Sequence, residues 1–451
     1  MSVADAIAVY HDLLTDQLAA DSQGAMDEQL RRRGLLFGER PLCTVLRPRL
    51  LTPTQLAYLE RESRILLGAF ATAYQAAIRD SGFRAQFGLL DWEETLVHHD
   101  PGFRDPSPTS RLDAFFVDES SGMHLTEYNA ETPAGLAYGD ALSELFLTLP
   151  IMGAYLQRYA LHPLPARQAV LHPLLDAFAQ WRGTRERPSI GILDWREVPT
   201  YSEFVLFQKY FHACGIDCVI ADPREVEYRG GKLTSEGEDI TLIYKRVLIS
   251  ELVQQGGLDH PVMRAVRDGA VCMVNPFRCK ILHKKASLSV LSDENNARLF
   301  SREQLAAIAA HIPWTRTVAE RRTTHEGREV DLVPFIQRNR RRLVLKPNDE
   351  YGGKGIVLGW EVDDAAWEDA IRTALAEPYI VQEKIALPSE PYPSLVDGSV
   401  TIVDRLLDTA PFVSYGRYIE GCMTRLSTVA LLNVTAGGGS TVPVFVATPR
   451  S

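Results

Sequence analysis

The sequence predicts a mixed α/β (α+β) protein in which a helical N-terminal segment precedes several sheets. Three observations carry this. Apolar residues recur at helical spacing through the first 90 positions, and a βαβ pattern begins near residue 188. From about residue 340, short apolar strands alternate with glycine-rich turns and one acidic helix. A chain of 451 residues has length for two or three domains and a sizeable core.

Residues 1–110 are expected to be a helical region. ADAIAVYHDLLTDQLAA and LTPTQLAYLERESRILLGAFATAYQAAIRD carry the periodic stripe, the second opening on Thr52-Pro53-Thr54, a cap with proline in the first turn. HHDPGFRDPSPTS is a turn-rich break. Residues 111–184 begin with RLDAFFVDE and MHLTEYNAE, two strand-like segments whose joint at Ser120-Ser121-Gly122 predicts a hairpin, with a helix over GLAYGDALSELFLTLPIM. Residues 185–285 form an α/β domain. There the strand PSIGILDW, the helix SEFVLFQKYFHACG and the strand IDCVIADP make a βαβ unit, and DITLIYKRVL adds a strand reaching Lys245 and Arg246. Parallel sheets of this kind bind ligands at the strand carboxyl ends. Residues 286–451 hold the basic run RNRRR, the strand RLVLKP, the loop EYGGKG, the strand IVLG, the helix DDAAWEDAIRTALAE and the strand YIVQEKIAL, then mostly β material including TAGGGST.

The composition, 45% apolar and 24% charged, is that of a folded globular protein. A formal charge of −10 argues against a general nucleic-acid or anionic-membrane partner. The six cysteines form no CxxC pair and read as buried reduced thiols, with Cys214 and Cys218 on one helical face or at its end. The N-terminal stretch lacks a signal peptide's apolar core, and no apolar run approaches the roughly 20 residues of a membrane span. A cytoplasmic protein is expected, and a homo-oligomer is left open.

Three constellations carry chemistry. In VLKPNDEYGGKGIVLG, Lys346 late on an apolar strand offers a point charge, and Gly352, Gly353 and Gly355 let backbone N–H groups approach phosphate oxygens. A plain hairpin turn with a surface lysine is the competing reading. In YIVQEKIALP, Gln382 and Glu383 suit a nucleotide hinge, or simply a strand running into a polar edge. The third is the hairpin. Regular alternation puts Leu125, Glu127, Asn129 and Glu131 on one face and His124, Thr126, Tyr128 and Ala130 on the other. Asp113 beside Glu127 and Asn129 makes an all-oxygen set for a hard cation such as Mg²⁺, and Arg111 on the same face as Asp113 can grip phosphate or carboxylate oxygens. The alternative is a solvated polar face with Arg111 paired to a carboxylate.

RLDAFF followed by HLTEYNAETPAGL resembles the R-x-D and E-x-N-x-D/E-T-P elements of glutathionylspermidine synthase-like ATP-grasp enzymes, in their synthetase part only. The resemblance covers roughly residues 111–440. It implies that Asp113, Glu127 and Asn129 bind magnesium and that Arg111 contacts the reacting phosphate. HKKASLSVLSD resembles the family's lysine before a short helix, at Lys285. LVLKPNDEYGGKG supplies the strand lysine, Lys346, Gln382 and Glu383 the hinge, and CMTRLS a late arginine, Arg425. Ordinary ATP-grasp enzymes place the nucleotide-binding lysines first and the metal carboxylates last. The reversed order here implies a circularly permuted ATP-grasp fold with a pre-ATP-grasp-like βαβ domain. The preceding residues 1–110 read as helical and are not expected to form the cysteine–histidine amidase domain of the bifunctional family members. The C-terminal part is closer to uncharacterised circularly permuted ATP-grasp proteins of bacteria, with an R-x-S … N-V-x-x-G-G-G ending.

The resemblance implies an ATP-dependent ligase using ATP and Mg²⁺, in which a small-molecule carboxylate attacks the γ-phosphate and an amine or thiol captures the acyl phosphate. The alternatives are a nucleotide-binding protein without ligase activity and a small-molecule kinase. Other features read more plainly. His98-His99-Asp100 is expected to be a loop with exposed imidazoles, RNRRR a solvated run, and Cys422 a thiol with no histidine near it in sequence. The segment Thr435–Ser440 either covers a ligand close to the backbone or forms a turn.

Overall fold

The computed structural model describes residues 2–428 and 439–450. Helix Pro53–Arg79 shows how the N-terminal region is fixed. Thr52 Oγ1 accepts the Gln55 N–H at 3.1 Å while Gln55 Oε1 accepts the Thr52 N–H at 2.9 Å, a reciprocal cap. Its stripe of Leu59, Leu66, Phe70, Ala73 and Ala77 packs in one core with Leu112, Phe116, Leu125 and Tyr128 of the predicted hairpin. That helix is the wall against which the hairpin lies.

The N-terminal region is not wholly helical. Leu36–Phe37 pairs with Arg40–Pro41, and Arg49–Leu51 is a buried strand running parallel to Ser440–Pro449. The latter joins the largest sheet, whose path runs Ser389–Val396, Ser399–Leu407, Tyr418–Ser427, Ala410–Ser414, Thr109–Phe116 and Met123–Asn129. Ser440–Pro449 branches from Tyr418–Ser427 and also pairs with Tyr159–Pro163. The pairing across this sheet puts the strand of Arg425 two places from the strand of Asp113.

The βαβ unit is present as Ile190–Leu193, helix Tyr201–Ala213 and Cys218–Ala221, extended by Leu242–Lys245 and Cys272–Val274 into a four-stranded parallel sheet. Its spatial order is Cys272–Val274, Leu242–Lys245, Ile190–Leu193, Cys218–Ala221. A third sheet, antiparallel, aligns Thr315–Thr317, Tyr379–Glu383, Leu343–Pro347 and Val357–Leu358. The glycine loop is therefore the connection of a hairpin, between Leu343–Pro347 and Val357–Leu358.

Two sequence expectations need correction. Cys218 begins a strand rather than sharing a helical face with Cys214, and Cys214 is exposed at the end of its helix while the other five thiols are buried. The strand Met123–Asn129 also does not alternate regularly. Asp113 pairs with Glu127 but Ala114 pairs with Leu125, so Thr126 is the extra residue of a bulge, closed by its hydroxyl on the Asp113 carbonyl at 2.9 Å. Leu125 and Tyr128 consequently share the core, and Glu127 does not lie on Leu125's face. Glu131 lies beyond the strand, fully buried and on a different set of partners. Of the C-terminal glycine segment, residues 435–438 lie outside the described residues; Ser440 accepts the Thr44 N–H at 3.0 Å.

Candidate active site

The hairpin, the glycine loop and the third sheet enclose a cavity of about 190 Å³ whose wall includes Asp113, Thr126, Glu127, Lys285, Lys346, Gly353, Gln382, Glu383 and Arg425. Residues separated by some 300 positions thus meet at one opening, each brought by a different element. The Thr126 bulge turns both Thr126 and Glu127 to it.

Asp113 is clamped. Arg111 grips it with Nε on Oδ1 at 2.6 Å and Nη2 on Oδ2 at 2.9 Å, and Arg425 Nη2 reaches Oδ2 at 2.8 Å. Burial alone would raise its pKa, but Arg111 and then Arg425 outweigh burial and hold the carboxyl well below the usual range. The Arg111–Asp113 pair anticipated for a solvated face exists, yet both groups are buried. Arg425 is in turn fixed by Asp408, which accepts its backbone N–H at 2.7 Å and its Nε–H at 2.6 Å. Burial raises the Asp408 pKa, with Arg425 opposing.

The lysines are set from opposite sides. Lys285 starts helix Ala286–Ser292 and donates to Glu127 Oε1 at 3.2 Å and to the Glu350 carbonyl at 2.6 Å. Burial raises the Glu127 pKa, but Lys285 more than offsets it and the carboxyl ends lowered. Lys346 donates to Gln382 Oε1 at 2.7 Å, and Gln382 Nε2 donates to Thr315 Oγ1 at 2.9 Å. Burial pulls Lys346 down to about 8, against the opposing charge of Glu127. A half-buried ammonium with a neutral amide as its hydrogen-bond acceptor suits a visiting anion.

Glu383 pairs with His325 Nε2 at 3.0 Å and Arg342 Nη2 at 3.1 Å at the cavity's rim. Val344, Ile356, Leu358, Trp360 and Leu387 make the rest of that end apolar. Gly352, Gly353 and Gly355 have φ of 67°, 78° and 72°, the left-handed region that glycine adopts without strain. Asn348 ties the loop down, accepting the Ala286 N–H at 2.8 Å and donating to the Phe87 carbonyl at 2.9 Å.

Asn129 faces a second, adjoining cavity of about 290 Å³ that shares Gly352 and Arg425 with the first and is also lined by Arg111. Asn129 Oδ1 is buried and receives no hydrogen bond among the described residues. A buried amide oxygen left without a donor, on the strand that also carries Glu127 and pairs with the strand of Asp113, fits a hard cation. The predicted Asp113, Glu127, Lys285, Lys346, Gly352, Gly353, Gln382, Glu383 and Arg425 all reach the first cavity, whereas the cross-strand pair Arg111 and Asn129 lines the second. Gly355 lines neither, packing its backbone against Pro347. The sequence reading did not single out Asp408, Thr126 or Trp360. Cys422 is buried, and burial pushes its thiol up to about 12, which disfavours the thiolate a nucleophile needs. The histidine pair is one exposed ring, His98, and one half-buried ring, His99, against Phe277.

These sheets and their shared cleft make up an ATP-grasp fold. Over 96% of this chain and 98% of the other, it superposes with a TM-score of 0.61 and 13% identity on a glutathione synthetase-like effector, GSS30, from Globodera pallida, in apo form. A RimK domain ATP-grasp protein from Sphaerobacter thermophilus aligns over 57% of this chain and 91% of that one at 16% identity, but with a TM-score of only 0.27, too loose for comparison. In sequence, the chain is 24% identical over 396 residues to a Frankia alni protein named "Putative glutamate--cysteine ligase 2-3". The match takes in 82% of this chain and 43% of the relative, so the chain spans less than half the length of that curated protein. No protein-family model matches. No described helix is long and apolar enough to cross a membrane.

Proposed function

We propose that the chain is an ATP-dependent ligase that joins a small-molecule carboxylate to an amine or thiol through an acyl phosphate, on a circularly permuted ATP-grasp scaffold of the glutathionylspermidine synthase-like kind. The observation that carries this reading is the convergence of Asp113, Glu127, Lys285, Lys346, Gln382 and Arg425 on one cavity beside a glycine loop. The names of the relatives, a glutamate–cysteine ligase and a glutathione synthetase-like protein, lean the same way.

The base and sugar of ATP would lie in the apolar end, between Val344, Leu358 and Leu387, with Glu383 taking a ribose hydroxyl. Lys346, Lys285 and the loop N–H groups would face the phosphates. Asp113, Glu127 and Asn129 would hold Mg²⁺, which would supply positive charge to offset that of the phosphates. Arg111 and Arg425, pinned by Asp113 and Asp408, are preorganised to offset charge on the transferring phosphoryl group at no cost in rearrangement. Catalysis of this kind is positioning and charge neutralisation more than covalent chemistry by the protein.

The test is release of ADP and phosphate from Mg-ATP in the presence of pooled amino acids, small peptides, thiols and polyamines. Turnover that depends on an acceptor and disappears in Glu127→Ala supports the ligase. ADP formation without free phosphate would indicate a small-molecule kinase, and ATP binding with no turnover across the screen a binding protein. Absence of ATP affinity would overturn the nucleotide reading altogether.

A further inference from the structure

The parallel sheet has a switch point. From Ile190–Leu193 the chain crosses to Cys218–Ala221 on one side, then returns to Leu242–Lys245 on the other. In open α/β sheets, ligands settle in the crevice at the carboxyl ends of the two strands flanking such a reversal. Here those ends deliver Asp194 and Arg246, and both line the second cavity, the one that adjoins the nucleotide cavity at Gly352 and Arg425.

The charges on that wall do not cancel. Arg246 is committed to Glu203, whose Oε2 accepts both Nη1 and Nη2 at 3.1 Å while Oε1 accepts the Gly135 and Ala137 N–H groups. Asp194, only 7% exposed, accepts the Trp195 N–H on Oδ1 at 2.9 Å, and its Oδ2 has no hydrogen bond among the described residues. Glu251, on the same cavity, takes Leu248 N–H and Trp195 Nε1–H on Oε2, both at 3.2 Å. Its Oε1 receives the Tyr351 hydroxyl at 3.3 Å, from the glycine loop. With Arg246 spent on Glu203, two carboxylates face the cavity without a dedicated cation. A buried carboxylate in that state recruits a positive ligand or a proton.

Resting on the ligase reading above, we propose that this switch-point cavity is the second-substrate site and takes a molecule with a primary ammonium group, held between Asp194 and Glu251. The same cavity is also lined by Arg425, which it shares with the first cavity. Burial lifts Asp194 to about 7, with Arg246 opposing, consistent with a carboxylate waiting for a cation. Tyr351 connects the two cavities, because the glycine loop that would cover the phosphates also touches Glu251.

The experiment is ligand-observed saturation-transfer NMR on the full chain, with and without Mg-ATP. Three probe sets separate the sources of an ammonium group: the L-amino acids, alkyl diamines such as putrescine, and simple carboxylic acids lacking an amine. Binding by one of the first two sets and not the third is expected. The bound amine's Kd should rise about 10-fold or more in Asp194→Asn and in Glu251→Gln, as for loss of a charged hydrogen bond, while the Mg-ATP Kd stays within about 2-fold. Should Asp194→Asn fail to fold, Glu251→Gln decides, being only half-buried. No binding by any amine, equal binding by the amine-free acids, or amine binding unchanged in both variants overturns the proposal. Because amine binding is read without turnover, amine binding with no ATP affinity would fault the ligase reading instead.

Discussion

Glu131 and Lys245 form an ion pair at 3.1 Å with both side chains fully excluded from solvent. Glu131 Oε1 also accepts the Ile249 N–H at 2.7 Å, and its Oε2 accepts Lys280 at 3.1 Å. Burial raises the Glu131 pKa, but Lys245 and Lys280 overcome it and bring the carboxyl down to about 2. Lys280 then reaches Asp349 at 2.6 Å, the residue entering the glycine loop. One carboxylate thereby ties the hairpin's end to the parallel sheet and, through Lys280, to the glycine loop beside the first cavity.

Removing it leaves two buried ammonium groups short of a partner, so Glu131→Ala should cost about 3–5 kcal/mol in urea unfolding. Glu131→Gln keeps an acceptor for Ile249 and should lose less. Equal loss in both variants would mean the charge is not what matters.

Arg425→Lys preserves the charge but not the fork that spans Asp113 and Asp408. Its kcat in the ADP-release assay should fall by about 10²–10³, the range for lost electrostatic stabilisers, measured at a temperature where the variant is still folded. A kcat within a few-fold of the parent would remove Arg425 from the reaction.

Gln382→Leu strands the Lys346 ammonium beside apolar surface. The Kd for ATP should rise about 10-fold, as for a lost hydrogen bond to a charged group, measured by isothermal titration. Unaltered affinity would show that Lys346 positions itself.

Asp194 gives a pH signature in stability. Its folded pKa of about 7 lies above the unfolded value of 3.8, so the folded protein holds the proton longer as pH rises. The resulting stabilisation is full below pH ~4 and is lost as pH rises through ~7, on the order of 2–4 kcal/mol. Unfolding free energies of the parent minus Asp194→Asn should decline across that window. A flat difference would mean Asp194 is ionised throughout.

Thiol labelling offers a check on burial. Of the six cysteines, Cys214 alone is exposed, so iodoacetamide should modify one site per folded chain and spare Cys422. Rapid labelling of Cys422 would contradict its place in the core.

The elements whose signal is local were legible in the sequence. The cap Thr52–Gln55, the hairpin turn at Ser120–Gly122 and the βαβ alternation each depend on neighbours in the chain. Motif order singled out Asp113, Glu127, Lys285 and Lys346, and these four line one cavity. The Thr126 bulge was not, because a single extra residue leaves an apolar–polar pattern that reads as simple alternation. Asp408 was equally hidden, since its only signal is a contact with Arg425 made across the sheet. Asp194 and Arg246 sat in strands that were recognised. Their importance comes from strand order, which periodicity does not encode.

The parallel pairing of Leu51 with Val446 carries a consequence for how the protein is made. On the ribosome, the early strand Arg49–Leu51 must wait for nearly 400 further residues before its neighbour exists. The strand that bears Arg425 waits for the same partner. Until then Leu50, Leu142 and the slot for Phe445 are open apolar surface, which invites chaperone capture and aggregation. A nascent chain arrested short of residue 440 should therefore have no ATP-binding competence, however well its separate parallel sheet has formed.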